Sequence, residues 1–123
     1  MRAIVTGQVG MDKKAYLESV RAFAGEQGEP IDLFHIGDLM YAEAKDVKPG
    51  RILDLPLSRL NSLRRAAFKD AIMGAQGMDN VIVNTHATVR WRHGLFSAFD
   101  FGQILAFDLE SQLLHQINVF RVA

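Results

Sequence analysis

Short, branched apolar runs alternate along this chain with longer stretches of helical period. Arg2 to Thr6 holds Ala3, Ile4 and Val5 between polar residues and a glycine, which predicts a short buried strand. Asp12 to Glu26 places Tyr16, Leu17, Val20 and Phe23 at helical spacing, so an amphipathic helix is expected there, ended by Gly28 and Pro30. Ile31 to Ile36 predicts a second strand. Gly37 breaks it, and Asp38 stands where it can cap a short helix reaching Ala44. Asp46 to Pro56, with its Pro-Gly pair, predicts a loop. Ser58 to Gly74 predicts a third helix with Leu60, Leu63, Ala67 and Ala71 inside and Arg64, Arg65 and Lys69 outside. Asn80 to Asn84 predicts a third strand. Thr85 to Phe99 has no clear period and is aromatic and basic. A short helix over Phe101 to Leu109 and a last strand around Ile117 to Val122 complete the reading.

Strands alternating with helices predict an α/β fold: one domain over residues 1–123, a mainly parallel sheet, and helices on both faces. In such sheets ligands sit beyond the carboxyl ends of the strands. Those ends carry Gly7 to Lys13, His35 to Asp38 and Asn84 to Arg92, so the three least regular segments are expected to meet at one edge. Of the methionines, Met40 and Met73 are expected to be buried.

Composition narrows the function classes. With 14 acidic and 14 basic residues the net charge is zero, which counts against a general nucleic-acid or membrane-surface binder. The 49% of apolar residues is enough for a core. There is no cysteine, hence no disulfide, thiolate metal site or cysteine nucleophile. No apolar run approaches membrane-spanning length, and the run at 3–5 is too short for a signal peptide. A cytoplasmic protein is the expectation.

The candidate chemistry starts at the first strand. Gly7-Gln8-Val9-Gly10 follows it, and Lys13 and Lys14 open the first helix. This is the strand, glycine turn and helix of a phosphate loop, G-x-x-x-x-G-K-[ST], with Gly7 and Lys13 in place. Asp12 stands where the pattern has glycine, and Lys14 where it has a hydroxyl. Taken alone, the segment is better read as an ordinary strand–turn–helix capped by Asp12, since glycine turns before helices are common. His86 and His93 invite a metal reading, but no carboxylate cluster accompanies them, so no metal site is expected. His35 and His115 read as structural or exposed. Arg90-Trp91-Arg92-His93 suits an arginine clamp on nucleotide phosphates better than a nucleic-acid surface, given the neutral charge.

With VTGQVGMDKK, then HIGDLMYAEAKD, then VIVNTHATVRWRHGLFSAF, the chain resembles the adenylate kinases, most closely the archaeal type, from about Arg2 to about Asp108. The resemblance implies the phosphate-loop fold of the nucleoside monophosphate kinases, with ATP as cofactor and a nucleotide as partner. It implies that Gly7, Gly10, Lys13 and Lys14 meet phosphates. Gly37, Asp38 and Met40 would line the acceptor nucleotide, and Thr85, His86 and Thr88 the cleft. Lys13, Arg90 and Arg92 would serve phosphoryl transfer. Three residues depart from that pattern: Asp12 for glycine, Lys14 for the hydroxyl that would hold magnesium, and Asn84 for an aspartate that would help hold it. They count against Mg2+ more than against an anion. After Leu109 the chain lacks the lid and the last strand and helix of that family. It is therefore expected to be truncated at its C-terminal end, and to form a homodimer through Leu113, Leu114, Ile117 and Val119. Two functions stay open: transfer of a phosphoryl group from ATP to a nucleoside monophosphate, or a catalytically degenerate domain used for binding or assembly.

Overall fold

The computed structural model describes residues 1–7, 12–86, 88–91, 94–97 and 102–103. Its elements are β1 (Arg2–Val5), α1 (Lys13–Glu26), β2 (Asp32–His35), α2 (Ile36–Glu43), a single 3-10 turn (Ile52–Asp54), α3 (Leu57–Gly74), β3 (Val81–Asn84), β4 (Thr88–Trp91) and β5 (Gly94–Ser97). β1, β3 and β2 form a parallel sheet with β3 in the middle. β4 and β5 pair antiparallel as a separate ribbon.

The central place of β3 explains its composition. A middle strand of a parallel sheet is covered on both faces, and Val81, Ile82 and Val83 are all buried. Register then sorts side chains by alternation. Ile4, Val81 and Val83 join Ile36, Met40, Leu60, Ala67, Phe68 and Ala71 in the layer of α2 and α3. Val5 and Ile82 join Leu17 of α1 on the opposite face, with Ala3, Ile31 and Leu33 packed around them. Helices thus cover both faces, and the α/β class is established.

α1 ends where the sequence places its stop. Gly28 adopts φ 76°, the Glu29 N–H reaches the Ala24 carbonyl at 2.9 Å, and the Gly28 N–H reaches that of Gly25 at 3.2 Å. This is the six-to-one and five-to-two pairing of a left-handed helix stop, which a residue with a Cβ adopts only under strain.

Several expectations are corrected. Of the four-residue stripe expected on α1, only Leu17 is buried; Tyr16 is 54% and Phe23 63% exposed. The helix rests on the sheet along one narrow line, so helical spacing overstates its footprint. Met73 is exposed and only Met40 is buried. Arg64, expected outside, is buried, because it lies one turn from both Leu60 and Phe68 on a helix packed against α2 as well as the sheet. The segment after Thr85 contains β4 and β5, whose four-residue strands are too short to show a clear period. The helix over Phe101 to Leu109 lies outside the described residues except at Gly102 and Gln103, which are helical. The strand at Ile117 to Val122 lies wholly outside them.

The packing has a direct test. Leu17→Ala should cost about 2–5 kcal/mol, because Leu17 is the buried α1 side chain in its layer. Phe23→Ala should change stability by less than about 0.5 kcal/mol. Urea unfolding of the two variants makes the comparison.

Candidate functional site

All three parallel strands end at one edge. β3 reaches Asn84 beside Val5 of β1 and His35 of β2. The Thr85 N–H extends the β1 pairing one step further, to the Val5 carbonyl at 3.0 Å. Of the residues expected to converge, Gly7, Lys13, Thr85 and His86 make one set of contacts, Lys14 and Asp38 a second, and His35 and Asn84 a third. Gly37 and Met40 belong to α2, Met40 facing the core rather than the edge. Thr88 and Arg90 are residues of β4. Gly10 and Arg92 lie outside the described residues.

Lys13 is the first residue of α1, yet only 5% exposed. It lies across the end of the sheet. Its Nζ donates to the Thr85 carbonyl at 2.8 Å and meets His86 Nδ1 at 3.3 Å. An ammonium only donates, so Nδ1 is the acceptor and the imidazole proton sits on Nε2. The ring also hydrogen-bonds the Gly7 backbone, which ties the end of β1 to the end of β3. Burial lowers the Lys13 pKa from 10.5 to about 8. Burial, and then the charge of Lys13, pushes His86 below its usual value and favours the neutral ring. Both partners of this buried cation are therefore uncharged.

Lys14, one residue on, points elsewhere. It pairs with Asp38 at 2.6 Å, with both side chains more than half exposed. Asp38 raises the Lys14 pKa, first by hydrogen bonding and then by charge. Asp38 therefore does not cap α2. The cap position is His35, and Asp38 sits in the first turn, where a carboxylate suits the helix dipole. Asp12 does cap α1, accepting from the Ala15 N–H at 3.4 Å.

A polar row closes the α1 layer at the same edge. Val5, Asn84 and His35 are register partners and share one face. Asn84 donates to His35 Nδ1 at 2.9 Å, and His35 Nε2 lies 2.9 Å from Glu18 on α1. That contact, ahead of the charge of nearby Arg21, holds Glu18 below the usual carboxylate range. The Asn84 Oδ1 is buried without a hydrogen-bond partner among the described residues. Sequence reasoning found Asn84 as a departure but missed this row; polar residues ending both β2 and β3 were the available signal.

The residues here do not fit magnesium. Lys14 is a cation where a hydroxyl ligand would stand, Asn84 is uncharged, and Lys14 already occupies Asp38. Among the described residues no group of three or more histidines and carboxylates could hold a metal ion. No described helix is long and apolar enough to cross a membrane. No family model and no curated protein matches the chain.

Proposed function

We propose that the chain binds a nucleoside phosphate at the carboxyl edge of its parallel sheet, as its resemblance to the adenylate kinases implies. The observation that carries this reading is Lys13. A buried ammonium ordinarily has a carboxylate or a bound anion as partner, since an uncompensated charge costs several kcal/mol. Among the described residues Lys13 has a carbonyl and a neutral imidazole as partners. An anion at the start of α1 would supply the missing charge and gain from the free N–H groups there.

Phosphoryl transfer from ATP to a nucleoside monophosphate is the activity the resemblance implies, with Arg90 and Arg92 as phosphate clamps. One observation favours the second reading, a binding or assembly module. Asp12, Lys14 and Asn84 are each engaged within the protein, as cap, ion pair and histidine partner. Dimerisation through Leu113, Leu114, Ile117 and Val119 belongs to the same proposal, though those residues lie outside the described ones. Calorimetric titration with ATP, ADP and AMP, with and without Mg2+, tests the binding. Micromolar affinity for at least one of them that is indifferent to Mg2+ is expected. Heat-silent titrations for all three would remove the proposal, while magnesium-dependent turnover in a coupled assay would restore the kinase reading.

A further inference from the structure

We infer that Lys13 is latched shut in the free protein, with His86 as the positioning residue that holds it closed. The latch rests on the phosphate-binding reading only for its purpose; its geometry stands alone. A lysine at the first position of a helix ordinarily reaches into solvent. This one is buried and runs to the end of β3, where Thr85 and His86 take its ammonium. His86 is itself anchored, since its ring hydrogen-bonds the Gly7 backbone. Through Lys13 and His86 these contacts join three chain segments: the start of α1, the end of β1 and the residues after β3.

The neighbouring charges leave His86 in control. Asp12 on the same helix serves as its cap, and Lys14 is neutralised by Asp38 of α2. Glu18 is engaged by His35 of β2 and by Arg21. Among the described residues the groups that meet the Lys13 ammonium are a carbonyl, fixed by the backbone, and an imidazole, which is not. The ammonium has three N–H groups and two are used here, so an anion at the start of α1 can take the third, and it competes with His86 where it pulls the ammonium toward itself. His86 accordingly opposes ligand binding in the free state, the reverse of what a cleft-lining histidine would do.

The two roles separate in a pair of measurements on wild type, His86→Ala and His86→Asn. The first, without ligand, is the rate at which acetic anhydride acylates Lys13, read by mass spectrometry against the exposed lysines of the same molecule. His86→Ala removes a hydrogen bond to a charged group and should speed acylation about tenfold. His86→Asn keeps an acceptor where Nδ1 stands and should return the rate toward wild type. The second is ATP affinity, which should tighten several-fold in His86→Ala and relax again in His86→Asn. Unchanged acylation in His86→Ala, or weaker ATP binding than wild type, overturns the latch. Should acylation respond as expected while ATP binds to none of the three proteins, the latch stands and the nucleotide reading falls.

Discussion

Lys13→Met is expected to weaken nucleotide binding by at least about tenfold while leaving the free protein about as stable as wild type near neutral pH. The substitution keeps the length of the side chain and removes its charge. It leaves the Thr85 carbonyl without its donor, at a cost of about 1–3 kcal/mol. It also removes the penalty of an ammonium buried without a counter-charge, which is of similar size. The two offset, so urea unfolding at pH 7 should differ by about 1 kcal/mol or less. Binding has no such offset, because losing a charge-assisted contact to phosphate removes at least about tenfold in affinity.

The pH dependence identifies the cause. The folded pKa of Lys13 is about 8, against 10.5 for a free lysine. Between those values the unfolded chain binds more protons than the folded one, so stability rises with pH across that window. The penalty is fully present below pH 8 and is relieved by about 10.5, for a gain of up to about 3 kcal/mol. Wild type should show this component of the rise and Lys13→Met should lack it. A variant that binds ATP as wild type does would end the claim that Lys13 carries the site.

The strands of the parallel sheet and the helices that cover it were readable because their signals are local. Val81 to Val83 declares a strand covered on both faces, and Gly28 declares the end of α1. Strands alternating with helices fixed the class, and from the class followed the edge at which Gly7, Lys13, His35, Asp38, Asn84 and His86 meet. What could not be read is pairing within that edge. Lys13 and Lys14 are adjacent and chemically identical, yet one turns inward to β3 and the other outward to α2, since neighbours on a helix point about 100° apart. Sequence spacing treats both as phosphate ligands. Arg64 shows the same limit from the other side. Charge placed it outside, but position on a helix packed against two layers placed it inside.

Converting the three departures back toward the phosphate-loop pattern should create a magnesium dependence, which wild type is expected not to show. Each change now has a structural consequence as well as a chemical one. Asp12→Gly removes the cap carboxylate and bares the N–H groups of α1, at a stability cost of a few tenths of a kcal/mol. Lys14→Thr installs a hydroxyl and also releases Asp38 from its ion pair. The pair is exposed and screened by solvent, so its loss changes stability little, while a carboxylate becomes free at the same edge. Asn84→Asp supplies a second carboxylate, facing His35 and, across it, Glu18. The triple variant thus exchanges one cation for a hydroxyl, a freed carboxylate and a new one, which is a donor set suited to a hard divalent ion. Its ATP affinity should improve by about tenfold or more when Mg2+ is added, and fall below wild type when Mg2+ is withheld, because Asp12→Gly and Asn84→Asp cancel in charge and free ATP then meets one lysine fewer beside an unpaired Asp38. Titration of both proteins with ATP, with and without Mg2+, decides it. Strong magnesium dependence in wild type would mean that Lys14, Asp38 and Asn84 rearrange around the ion, and the kinase reading would then displace the binding module.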